Sequence, residues 1–195
     1  MEKLKIPYPV IVEGKYDRLR LLAVMEGQIL TTDGFGIFKK QEKLALFRAL
    51  AEKTPIVVLT DPDGAGKLIR AHIGSALPKE RIIPLYVPQT KGVEKRKQAP
   101  SAEGFLGVEG QETALLYDLL KPLASDTTRA ENPLSKLNFF EDGLTGTANC
   151  TARRAALAAR FSLPTDMTPN ALLAALRVVA TFEEYKAAVA ALDVK

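Results

Sequence analysis

The stretch "PIVVLTDPDGAGKLIR", residues 55–70, joins an apolar β-branched run to a helical pattern through two aspartates and two glycines. Its glycines invite a nucleotide-loop reading. A phosphate-binding loop ending at Gly66-Lys67 requires Gly at 61 and Ser or Thr at 68, where this chain has Asp61 and Leu68. The dinucleotide pattern fails too, with Ile69 in place of the third glycine. The acids carry the other reading. Asp61 and Asp63 stand two apart after a buried strand, so an extended chain projects both to one side, and Pro62 biases Asp61 away from helix. Two converging carboxylates repel unless a cation lies between them, and hard oxygen ligands suit Mg²⁺ or Mn²⁺.

A third acid ends the first strand. "YPVIV" (8–12) closes at Glu13-Gly14, and if that strand neighbours 55–60, Glu13, Asp61 and Asp63 meet at one point. Gly64 and Gly66 then open the next helix without side chains in the way, leaving its N–H groups open to a phosphate. A helix-capping turn is the alternative for an isolated Asp-x-Asp.

Working outward, helical "YDRLRLLAVME" (16–26) is followed by strand 28–32. A helix with Leu44, Phe47 and Leu50 on one face precedes strand 55–60. Ile69, Ile73, Ala76 and Leu77 mark the next helix, before strand 81–87. Alternating strands and helices predict an α/β fold with a doubly wound, mainly parallel sheet. Residues 88–110 read as a long functional loop and 112–124 as a closing helix. The expected organisation is a catalytic domain over 1–124, a linker over 125–133 and a small all-helical domain over 134–195, with helix starts at Thr168-Pro169 and at Thr181 with Glu184.

Composition narrows the function. The 195 residues carry a net charge of +4, and the whole basic excess lies in residues 1–129. "KGVEKRKQAPS" (91–101) reads either as a solvated loop or as a basic arm neutralising phosphates through Lys91, Lys95, Arg96 and Lys97. One cysteine, Cys150, and one histidine, His72, exclude the usual zinc sites. Both are expected to be structural. No apolar run is long enough to span a bilayer and no secretory signal is evident, so a cytoplasmic location without membrane association is expected.

"VIVEGKYD" with "VVLTDPDGAGKLIR" resembles the Toprim domain of topoisomerases, primases and nucleases. "GFLGVEG" and the tail "GLTGTANCTARRAALAARF" are similar to the ribonuclease M5 family, which matures precursor 5S ribosomal RNA. The resemblance implies one or two Mg²⁺ or Mn²⁺ ions on Glu13, Asp61 and Asp63. It implies phosphate contact at Lys15, hydrogen bonding at Asp17, loop geometry at Gly66, ion pairing at Arg70, and a supporting acid at Glu109. Gly64, Lys67 and the basic loop are the remaining candidates for RNA contact. The chain departs from those maturases at Gly110, where they carry His, and at Gly64-Ala65, where they carry a bulkier pair. The implied activity is a metal-dependent endoribonuclease acting on structured RNA, with a ribosomal protein bound to the substrate. The rivals are a non-catalytic RNA or ribonucleoprotein-binding module and a DNA-acting Toprim nuclease.

Overall fold

The apolar runs form parallel strands, and their order places the candidate acids. A computed structural model describes residues 2–94, 101, 103–125 and 132–192, and the chain divides into two units, Met1–Thr128 and Arg129–Lys195. In the first unit β1 (Leu4–Lys5), β2 (Val10–Val12), β3 (Met25–Glu26), β4 (Ile29–Thr31), β5 (Ile56–Thr60) and β6 (Ile82–Tyr86) are joined by α1 (Lys15–Leu21), α2 (Gln41–Lys53) and α3 (Gly64–Ala76), and α4 (Thr113–Leu120) follows. The main sheet has the order β4-β2-β5-β6, with every pairing parallel. This is the Toprim-like doubly wound arrangement expected from the sequence.

β2 and β5 are buried along their whole length, as apolar strands of a sheet covered on both faces must be. From β2 the chain goes to β4 on one side and later enters β5 on the other. The switch point therefore lies between β2 and β5, where such sheets open a crevice at the carboxyl ends of their strands. Leu44, Phe47 and Ala51 of α2, Ile69 and Ile73 of α3, and Leu77 pack with Ile11, Ile56 and Val58 into one core. Full burial of such aliphatic and aromatic side chains contributes about 1.5–3 kcal/mol each before entropy is counted. β6 forms one edge of the sheet and has Pro84, without an N–H, at its centre.

Two segments differ from expectation. The helix predicted to run to Glu26 stops at Leu21, and Met25–Glu26 instead pairs in parallel with Leu4–Lys5. Val24 and Met25 are 2% and 0% exposed, and Leu4 N–H donates to Val24 O at 2.9 Å. Tertiary burial and strand pairing here outweigh the helix propensity of "LLAVM". The 88–110 loop carries some order: an antiparallel bridge joins Lys91 to Phe105, and Val108–Gly110 forms a 3-10 turn.

The second unit holds α5 (Lys136–Glu141), α6 (Cys150–Arg160), α7 (Pro169–Val179) and α8 (Phe182–Ala190), with no strand among its described residues. Most of the sequence-predicted linker, residues 126–131, lies outside the described residues. Thr168 Oγ1 accepts Ala171 N–H at 3.3 Å with Pro169 in the first helical position, and Thr181 and Glu184 exchange bonds at 2.8 and 3.1 Å as a capping box. The fully buried Tyr185 lies 6.2 Å from the Phe139 ring and donates to Asp142 Oδ2 at 2.6 Å. Burial and this bond raise its hydroxyl pKa well above the usual range. Among the described residues no helix is long and apolar enough to cross a membrane.

Candidate active site

Glu13 follows β2 and Asp61 follows β5. Parallel pairing of these strands brings both to the same edge of the sheet. Asp61 N–H donates to Glu13 Oε1 at 2.8 Å, and Asp61 Oδ1 accepts Val108 N–H at 2.8 Å. Burial raises both acids, Glu13 to about 7 and Asp61 to about 8, and the negative neighbours Asp17 and Asp63 add repulsion. The Asp61 amide partly offsets this for Glu13, as the Val108 amide does for Asp61. Arg70 acts on Glu13 as a positive charge, but the surrounding carboxylates of Asp17 and Asp63 outnumber it.

Close backbone approach makes room for them. A Cβ on Gly66 would lie 2.7 Å from Glu13 Oε1, and one on Gly107 would lie 2.6 Å from Asp61 Oδ1. Asp63 is the cap of α3, its Oδ1 accepting Gly66 N–H at 2.9 Å. Gly64 N–H donates to Glu103 Oε1 at 2.8 Å. The amides at Gly64 and Gly66, read from sequence as open to phosphate, are therefore bonded within the chain.

The other predicted residues divide by role. Asp17 is buried, accepting Gly14 N–H at 2.9 Å and Glu109 N–H at 3.2 Å, so it ties α1 to the Val108–Gly110 turn. Arg70, read as an ion-pairing residue, donates to Val58 O at 3.0 Å and Leu85 O at 2.7 Å, and its guanidinium lies 4.0 Å from the Tyr86 ring. It fastens β5 to β6 from beneath the site, and burial lowers its pKa. Lys15 is exposed, with its ammonium 4.9 Å from the Tyr16 ring, and Lys67 is exposed on α3. Lys91 places its ammonium 4.2 Å over Phe105, while Lys95, Arg96 and Lys97 lie outside the described residues. His72 packs its ring 4.5 Å from Phe38, and Cys150 begins α6 in the second unit.

Sequence reasoning missed Glu94, Glu103 and the Arg20–Gln111 link. Glu94 is only 3% exposed and accepts Gly107 N–H at 3.0 Å, holding the turn that faces Asp61. Arg20 Nε donates to Gln111 O at 2.9 Å, across 91 residues. One signal was available for Glu94: Gly-Val-Glu occurs at both 92–94 and 107–109.

Among the described residues no three His, Cys, Asp or Glu side chains converge tightly enough to hold a metal ion. The Glu13–Asp61 pair nevertheless fits a hard divalent cation. Its donors are all carboxylate oxygens, and their half-buried charge calls for a positive partner. Mg²⁺ characteristically takes only one or two carboxylates and keeps several waters.

No family model matches the chain. Its sequence is similar to ribonuclease M5 1 of Ligilactobacillus salivarius (strain CECT 5713), with 31% identity over 144 residues, covering 74% of this chain and 70% of the relative. Ribonuclease M5 of Lactiplantibacillus plantarum is 29% identical over 160 residues, 82% of this chain and 81% of the relative. Ribonuclease M5 of Fusobacterium nucleatum is 22% identical over 196 residues, 99% and 100% of the two chains.

Proposed function

The chain belongs to the ribonuclease M5 family, and from that premise we propose that it is a Mg²⁺-dependent endoribonuclease maturing precursor 5S ribosomal RNA with a ribosomal protein bound. The observation that carries the reading is the half-buried Glu13–Asp61 pair at the switch point of a parallel sheet, joined by a 2.8 Å bond. A pure binder of polyanions gains nothing from carboxylates placed there.

Glu13 and Asp61 are the residues that would hold one or two Mg²⁺ or Mn²⁺ ions, which when bound would supply an activated water and neutralise charge at phosphorus, while Asp63, the third ligand expected from the sequence, is engaged in capping α3. The chain supplies placement. The amides of Asp61 and Val108 fix the two half-buried carboxylates, and Gly66 and Gly107 keep side chains out of the space beside them. Asp17 holds the amides of Gly14 and Glu109 in register with that edge. Lys15, two residues after Glu13 and exposed, would meet a phosphate oxygen. Lys67 and the basic residues Lys91, Lys95, Arg96 and Lys97 extend phosphate contact, which suits A-form RNA read by backbone and shape.

The test is cleavage of labelled precursor 5S RNA, with its ribosomal protein, in Mg²⁺ and in EDTA, beside a duplex DNA control. Mg²⁺-dependent RNA cleavage that falls by about two to three orders of magnitude in Asp61→Asn is expected. Binding without cleavage, or cleavage of DNA alone, overturns the proposal.

A further inference from the structure

α1 presents Tyr16 and Leu19 beside the acid-bearing edge, with Ala23 in the turn that follows it, and Leu19 is 58% exposed. Opposite stand Val93 and Leu106, and between the two walls opens a cavity of about 720 Å³. That volume lies within the range of small-molecule sites. The walls are fastened to each other: Arg20 binds Gln111 O, and Asp17 binds Glu109 N–H. The cavity is thus a built feature of the first unit, tied to the active-site edge through the bond from the amide of its lining residue Glu109 to Asp17.

Its polar lining selects the occupant. Glu94, Glu109 and Glu112 line it beside Arg20, whose guanidinium donates to Gln111 O. Carboxylates accept hydrogen bonds and donate none, and three of them against one guanidinium leave the lining net negative, which disfavours a phosphate. The complementary group is flat and apolar on its faces, with N–H donors on its edge. A nucleobase with an exocyclic amine meets that description, and unpaired RNA bases are recognised by just such stacking and edge contacts.

Resting on the nuclease reading above, we infer that this cavity takes an unstacked nucleobase bearing an exocyclic amine, from an unpaired nucleotide flanking the scissile phosphate. Tyr16 and Leu19 pack on the ring, and Glu109 and Glu112 accept from the amine. Adenine, cytosine and guanine qualify, whereas uracil lacks the amine.

CMP and UMP are nearly equal in size and differ at that group. Each is titrated into the full chain in EDTA, following backbone amide NMR shifts of α1 and residues 106–113. CMP is expected to shift these amides and to bind about tenfold more tightly than UMP, the weight of one hydrogen bond to a charged acceptor. Glu112→Gln is expected to narrow that ratio, and Leu19→Glu, at an exposed position, to abolish binding. Equal affinities, shifts confined to other regions, or a trilysine peptide occupying the cavity while CMP does not would each overturn the inference. The two readings separate cleanly. RNA cleavage without CMP preference sinks the base pocket alone, and CMP preference without cleavage sinks the nuclease alone.

Discussion

Gly92-Val93-Glu94 and Gly107-Val108-Glu109 are the same tripeptide folded inside out. Val93 is 47% exposed and Val108 fully buried, whereas Glu94 is 3% exposed and Glu109 only half-buried. Gly92 lies against the Leu106 side chain, Gly107 against the Asp61 carboxylate. The first copy's acid accepts the second copy's glycine N–H, and the second copy's valine N–H supports Asp61. Since the tripeptides are identical, the difference comes from what each segment packs against: 92–94 meets the Leu106–Gly107 stretch, and 107–108 meets Asp61.

The largest expected effect breaks this asymmetry at the glycines. Gly107 has φ −75° and ψ −173°, backbone that any residue adopts, so the cost of Gly107→Ala is steric alone. Its Cβ must displace the Asp61 carboxylate, and a loss of about 2–3 kcal/mol in urea unfolding together with loss of RNA cleavage is expected. Gly92→Ala meets only the rotatable Leu106 side chain and should cost less than about 1 kcal/mol. Equal costs would mean that the two copies are not differently constrained.

A second effect tests what the second copy faces. The folded pKa values of Glu13 and Asp61, about 7 and about 8, lie above the ordinary carboxylate range. Below about pH 4 both folded and unfolded chains hold these protons. As pH rises from there to about 8, the unfolded chain releases them first, so the metal-free protein loses stability across that window. Asp33, held low by Lys40 and Lys43, titrates below it. Thermal unfolding in EDTA should show Tm falling from pH 5 to 8, with Asp61→Asn flattening the slope. Mg²⁺ should recover Tm most at pH 8. A Tm that rises with pH in EDTA contradicts this.

A third effect compares the glutamates. Glu94→Ala leaves the Gly107 N–H buried without its acceptor and should cost about 1–3 kcal/mol. Glu109→Ala keeps the backbone bond to Asp17 and leaves no buried amide without an acceptor, so it should cost less than Glu94→Ala. Chemical denaturation of the two variants side by side decides it.

The sheet was legible wherever burial imposes a pattern. The runs ending at Glu13 and Thr60 are apolar because both faces are covered, and Leu44, Phe47, Ile69 and Ile73 repeat because one helical face is. Glu13 and Asp61 were legible as strand ends, but the capping of α3 by Asp63 depends on how the chain turns after Pro62. β1 and β3 have two residues each, too few for a period to show. Glu94 sits among lysines and reads as solvated, because its burial is set by a partner thirteen residues away. Arg20 and Gln111 leave no local trace of their pairing.

The two outer strands of the main sheet have a consequence for solubility. Unpaired backbone along a sheet edge is a template on which another chain can add a strand, the first step of aggregation. β4 offers only three residues for such growth, and β6 has Pro84 at its centre, breaking the row of donors. The acid-bearing strands β2 and β5 lie between these two blunted edges. The same layout that brings Glu13 beside Asp61 therefore discourages copies of this chain from joining edge to edge.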